Sequence, residues 1–277
     1  MTTNHSVKAI RDLKIIGNTL RYNYLMRKRK KSNVSDPADF MQVLDYYKKD
    51  PVVFIHAGLS QIKQAFAVDP YPFLMESLTE RFQSIIAPGF TPSFRTTGLY
   101  HKEFSKPEYG KFSWFFHQDA SFRSDDPIHS LLVRGDYGFQ NAYTPETFGP
   151  GSCFDQLDQE NILCLSIGTQ WPISSQKHYV EYRSDLPYVR KVQYKGVIYF
   201  DKQRYQKISV FNYVRTHWFN KYLTLMWNNC KIARQMQKRD IMQIYDLNGL
   251  MLYAFRLQDL RRFLEEKIIH DPYYLFT

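Results

Sequence analysis

The 277-residue sequence predicts an α/β fold, and three observations carry that expectation. Short aliphatic runs recur at residues 51–55, 84–87 and 161–167; each is too short for a helix and bounded by Pro, Gly or Asn. Stretches of helical periodicity lie between them, and strands alternating with helices define the class. The composition, 44% hydrophobic with 21 Tyr and 21 Phe, excludes a disordered chain and supplies a full core.

Taken in order, residues 6–31 read as a helix. Val7, Ile10, Leu13, Ile16, Leu20, Tyr24 and Leu25 recur at three- and four-residue steps and form one apolar stripe. That helix ends in the cations Arg27, Lys28, Arg29, Lys30 and Lys31, read first as a solvated helix C-terminus, then as a dock for anionic lipid, and third as a nucleic-acid segment. Asp36-Pro37 restarts the chain, and residues 37–50 look helical. Pro51–Ile55 runs as a strand into His56-Ala57-Gly58-Leu59, where small residues before the helix at 61–66 leave backbone amides free to meet an anion. A helix at 73–82 and a strand at 84–87 follow. Residues 90–123 show no period and read as a long functional loop. The strongest strand signal is Asn161–Ile167, ended by Gly168. Short strands at 191–193 and 197–200 flank Tyr194-Lys195-Gly196 as a hairpin, and helices are predicted at 214–236 and 257–267.

A net charge of +10 implies an anionic partner, whether nucleic acid, membrane or a phosphorylated small molecule. Three scattered cysteines make neither a disulfide framework nor a zinc site, and Cys164, inside the strongest strand, reads as a buried thiol. No metal-ligand spacing occurs. The N-terminus has no signal-peptide pattern and no apolar run spans a bilayer, so a cytoplasmic protein, at the inner membrane face if the basic run docks there, is expected.

The segment Ser174-Ser175-Gln176-Lys177-His178-Tyr179-Val180-Glu181 follows the strongest strand, and ligands of layered α/β folds sit beyond such strand ends. With a serine as N-cap, His178 and Glu181 share one helical face at i and i+3. A carboxylate there fixes the imidazole tautomer, as a general base requires; a surface His-Glu pair is the plain alternative. Three further segments accompany it: HAGL at 56–59, RSDDPIHS at 123–130 and FGPGS at 148–152.

In this order the segments resemble the aminoglycoside 3-N-acetyltransferase family, antibiotic N-acetyltransferases unrelated in fold to the GNAT type. The resemblance covers roughly residues 50–200. It implies a single-domain α/β/α sandwich around a central mixed sheet, with 1–37 as a basic helical extension and 38–277 as the acyltransferase domain. It further implies direct transfer of an acyl group from coenzyme A onto an amine. His178 matches the family's catalytic histidine, Glu181 the acid beside it, and Ser175 the threonine near the thioester carbonyl. His56, Ala57, Gly58, Arg123, Ser124 and Ser130 match residues lining the coenzyme channel. Asp125, Asp126, His117 and His129 are the candidates for touching the acceptor, each with a packing or turn role as its alternative.

The departures carry information. Asp126 stands where the family has a histidine, Ala57 and Gly58 where the turn has serines, and Ser175 where it has threonine. A basic chain suits a polycationic aminoglycoside poorly and an anionic acceptor, such as a nucleotide-linked or polysaccharide-precursor amino sugar, better. The donor is acyl-CoA or an acyl carrier protein, and a homodimer is compatible with the sequence. The aminoglycoside acceptor, a nucleic-acid-binding module and a non-catalytic relative are the competing readings. His5, His101 and His270 read as surface residues and His217 as structural.

Overall fold

The computed structural model describes residues 2–28, 33–216 and 226–277. Helix α1 (Thr2–Arg27) leads to α2 (Pro37–Tyr47), where Asp36 accepts from the Ala38 amide and Pro37 occupies the first turn. Strand β1 (Val52–Ala57) passes into α3 (Leu59–Phe66); α4 (Pro70–Thr79) then precedes β2 (Ser84–Pro88). The stretch expected to be aperiodic folds as α5 (Phe94–Thr97), β3 (Leu99–His101), α6 (Lys111–Asp119) and β4 (Phe122–Arg123), and β5 (Leu131–Arg134) pairs back on β4. Helix α7 (Cys153–Gln159), capped by Ser152, precedes β6 (Leu163–Ile167) and α8 (Gln176–Arg183). Strands β7 (Val189–Tyr199) and β8 (Tyr205–Arg215) come next. The described chain ends with α9 (Asn229–Gln237), β9 (Met242–Leu247), β10 (Leu250–Arg256) and α10 (Leu257–His270).

Seven strands form the central mixed sheet in the order β4-β5-β2-β1-β6-β10-β9. The middle three, β2, β1 and β6, are parallel, and both flanks are antiparallel. Side chains alternate across a strand, so β1 sends Val53 and Ile55 to one face and Phe54 to the other. The first face packs on α2, α3, α4 and α6 through residues such as Phe40, Ile62, Leu74 and Phe116. The second packs on α7 to α10 through Leu157, Val180, Ile232 and Leu264. The result is the α/β/α sandwich that the sequence implied.

Three further expectations are corrected, and two strands are added. The apolar stripe of α1 does not face the core: Ile10, Leu13, Leu20 and Tyr24 are exposed, and Ile15 and Thr19 are the buried positions. The hairpin proposed around Tyr194-Lys195-Gly196 is one continuous strand, and β7 pairs with β8 in a second, three-stranded sheet, β3-β7-β8. Gly196 marks a close backbone approach and not a turn, since a Cβ there would collide with the Gly98 carbonyl oxygen. The helix proposed at 214–236 begins with the end of β8 and is helical only from Asn229 among the described residues. Finally, β9 and β10 were not anticipated, although Asn248-Gly249, at φ 52° and 93°, is the two-residue turn that joins such strands.

Candidate active site

A cavity of about 430 Å³ opens beyond the carboxyl ends of β1, β2 and β6, the crevice where open α/β sheets hold ligands. His56 and Ala57 enter it from β1, Pro88 from β2, and Thr169, Ser174 and Ser175 from the loop after β6. That loop is held tightly. Ser166 Oγ lies 2.8 Å from Thr169 Oγ1 and accepts from the Ile173 amide at 3.0 Å. Ser175 occupies the N-cap position of α8 without a side-chain cap bond, while Ser174 Oγ accepts from the Gln176 amide. Phe90, Tyr109, Phe112, Tyr213 and Trp227 supply aromatic walls.

His178, in the first turn of α8, lines this cavity with 33% of its side chain exposed. Its Nδ1 lies 3.1 Å from Glu181 Oε2, which leaves Nε2 as the other ring nitrogen. Glu181, with 3% of its side chain exposed, stands behind the ring and is fully engaged. Its Oε1 accepts from Arg215 Nε at 3.0 Å and Trp227 Nε1 at 3.1 Å; Oε2 accepts from Arg215 Nη2 at 3.3 Å. Burial alone would raise the Glu181 carboxyl, but the Arg215 charge and the His178 bond hold it down at about 2. His178 is pushed below 6.5 by burial, against the bond and charge of Glu181 and with added repulsion from Arg215 and Arg95. The pair at neutral pH is therefore a neutral imidazole held by a carboxylate, the state from which an imidazole accepts a proton.

A second histidine faces the first. His129 sits with its ring centroid 5.8 Å from that of His178 and lines the same cavity. Asn212 Oδ1 accepts from the Tyr213 amide at 2.6 Å, so Asn212 Nδ2 donates to His129 Nδ1 at 3.3 Å. That contact assigns the His129 proton to Nε2. Burial, His178 and Arg95 together keep His129 well below its ordinary value, hence a neutral donor. His56 is neutral too, lowered to about 3 by burial and then by Lys177.

Of the residues singled out from sequence, His56, Ala57, His129, Ser175 and His178 line the cavity, with Glu181 directly behind. The others do not reach it. Gly58 starts α3 and bonds the Ile167 carbonyl. Arg123 is buried and donates to Ser130 Oγ and to the carbonyls of Gly89, Lys102 and Ser105, with His117 Nε2 3.2 Å from its Nη1. Ser124 Oγ accepts from the Leu131 amide, and Ser130 Oγ donates to the Gly89 carbonyl. Asp126 Oδ1 accepts from the amides of Ile128 and His129, and Asp125 pairs with Lys102 at 2.7 Å. These side chains tie the β4–β5 turn to its neighbours because the turn is short and its own backbone amides need acceptors. The FGPGS segment likewise builds the cap of α7, with Asp155 Oδ2 accepting from the Gly151 amide.

Other residues around the site were not anticipated. Arg95, Tyr109 and Ser113 come from the segment read as a loop. Arg215 and Trp227 come from a stretch read as helix and Tyr213 from the residue before it; the alternation along β8, which carries Tyr213 and Arg215, was the overlooked signal. His101 is half-buried and His270 exposed. His217, the side chain of His5 and residues 29–31 of the basic run lie outside the described residues. Cys164 is buried and its thiol is pushed up by that burial. Among the described residues no cluster of His, Cys, Asp or Glu could hold a metal ion, and no helix is long and apolar enough to cross a membrane.

Fold and site together place a neutral imidazole, backed by a buried carboxylate, at the wall of a crevice beyond the strand ends. The profile of the aminoglycoside 3-N-acetyltransferase family matches residues 92–268. The chain belongs to that family, and with it to the acyl-CoA-dependent N-acyltransferases. Solved structures agree on the fold. Aminoglycoside acetyltransferase AAC(3)-Xa superposes with a TM-score of 0.67 at 15% identity, covering 85% of this chain and 93% of that one. AAC-IIIb in binary complex with CoASH gives 0.67 at 12%, covering 83% and 96%. An AAC(3)-IVa variant in complex with a gentamicin gives 0.64 at 11%, covering 89% and 93%. No curated protein matches the sequence.

Proposed function

We propose that the chain transfers an acyl group, acetyl or a close relative, from coenzyme A to the amine of an amino sugar, with His178 as general base. One observation carries the reading: the His178 ring, held at Nδ1 by the buried Glu181, borders the cavity. In the step, the amine nitrogen attacks the thioester carbonyl carbon. The C–N bond forms as the C–S bond breaks, the amine proton passes to His178 Nε2, and the coenzyme leaves as the thiolate, which then takes up a proton. A base placed this way contributes about 100- to 10,000-fold, and holding donor and acceptor together supplies much of the rest. Ser175 and the Nε2–H of His129 border the same space and are the donors offered to the oxygen that gains charge during attack.

The acceptor assigned here is an amino sugar made anionic by a nucleotide or a phosphate. No Asp or Glu is among the described residues that line the cavity, whereas a polycation calls for carboxylates. The aromatic walls suit the apolar face of a sugar ring or a base. An aminoglycoside acceptor is the second reading, favoured by the family to which the chain belongs and by the gentamicin complex of its structural relative. Following free thiol release from acetyl-CoA with a panel of amino sugars, nucleotide-linked amino sugars and aminoglycosides separates the two. His178→Ala should lower turnover by at least ~100-fold with an unchanged circular dichroism spectrum. A variant that turns over at the wild-type rate removes the general-base assignment.

A further inference from the structure

Arg95 brings a permanent charge to the cavity that the acyl-transfer reading leaves unused. Four basic side chains border the space: His56, Arg95, His129 and His178. Burial keeps the three imidazoles below their ordinary values, so at neutral pH Arg95 is the charged one. Its Nε is buried without a hydrogen-bond partner, and among the described residues no carboxylate stands within ion-pair distance of its guanidinium. The acid its field reaches is Asp126, whose Oδ1 is turned into the β4–β5 turn to accept two backbone amides. A guanidinium so placed at a cavity wall is positioned to take an anion that a ligand supplies.

We propose that Arg95 is an anion-recognition residue and that the acceptor carries a phosphate group beside the sugar whose amine is acylated. This rests on the acyl-transfer reading and narrows its substrate class. A planar fork of N–H donors meets phosphate oxygens two at a time. The position favours acceptor over donor, since the field of Arg95 falls on both His129 and His178, at the transfer point. The phosphates of coenzyme A lie at the far end of the pantetheine arm from the thioester. A polycationic acceptor would meet like charge here.

The test has a binding arm and a turnover arm. Trp227 lines the cavity, so its fluorescence can report binding of glucosamine 1-phosphate, glucosamine and inorganic phosphate to wild type, Arg95→Gln and Arg95→Lys. We expect the phosphorylated sugar to bind more tightly than the neutral one, a preference that Arg95→Gln lowers by about 10- to 100-fold and Arg95→Lys partly restores. In turnover, kcat/KM for the phosphorylated acceptor should fall by the same factor, whether the donor is acetyl-CoA or S-acetylpantetheine, which has no phosphates. If wild type binds the two sugars alike, or Arg95→Gln leaves the preference intact, the proposal falls. If the loss is seen with acetyl-CoA and disappears with S-acetylpantetheine, Arg95 serves the donor and the proposal falls as well. Binding that behaves as expected with no acylation of any amine would sink the transferase reading and leave the anion site standing.

Discussion

Replacing Glu181 by Gln isolates the tautomer of His178. In the wild type, Oε1 accepts from Arg215 Nε and Trp227 Nε1, and Oε2 lies 3.1 Å from His178 Nδ1. Two donors at one position will keep the Gln oxygen there, so the amide NH₂ takes the place of Oε2. It then donates to His178 Nδ1, forcing the ring proton onto Nε2 and removing the lone pair that accepts the amine proton. The same tautomer inversion in a serine protease triad lowers kcat by about 10⁴, and loss of a general base lowers rate by about 10² to 10⁴; a fall of at least ~10² is expected. Without the Glu181 bond and charge, both of which raise His178, the acid limb of kcat/KM also moves to lower pH. Arg215 loses its buried counter-charge, a change worth about 3–5 kcal/mol, so thiol release should be followed well below the variant's melting temperature. Turnover within threefold of wild type, or an acid limb displaced to higher pH, would refute the geometry.

The remaining predictions concern stability and placement. His56 falls from 6.5 to about 3 on burial, so the unfolded chain binds the extra proton between these values and stability rises with pH across that window. The effect is on the order of 4 kcal/mol, and urea midpoints of His56→Asn should be flatter from pH 4 to 6.5 than those of wild type. Lys177 drops from 10.5 to about 7, chiefly through burial; its neutral form is the folded one, and wild-type stability should gain on Lys177→Met as pH rises from about 7 to 10.5. An unchanged difference between the two proteins over that range would contradict the burial of its amino group between the Pro172 carbonyl and Asn229. Gly196→Ala would drive a Cβ into the Gly98 carbonyl oxygen and set it 2.7 Å from Phe94 Cε2. It should displace β3 and α5, lower the melting temperature by several degrees, and weaken phosphate-dependent binding through Arg95 before it affects binding of the neutral sugar.

Local pattern was enough for the class of fold and for the nucleus of the site. Val52–Ile55 and Asn161–Ile167 are short, aliphatic and bounded, so their strand character and burial follow from the residues themselves. His178 and Glu181 meet because three residues along a helix is a fixed distance, and that relation needs no knowledge of the rest of the chain. What packs against that pair depends on contacts distant in sequence. Arg215 and Trp227 reach Glu181 across 34 and 46 residues, and His129 reaches Asn212 across 83. The buried side of α1 depends on such contacts too: the helix meets the core through Ile15 and Thr19, beside the apolar stripe and not along it. In RSDDPIHS the side chains with the most charge turned inward to satisfy buried carbonyls and amides, leaving His129 to face the cavity. Sequence determined the residue types and their spacing along each element, because those depend on local geometry. Only the tertiary structure decided which polar groups are used up by the backbone and which remain for a substrate, because that choice depends on partners brought together by folding.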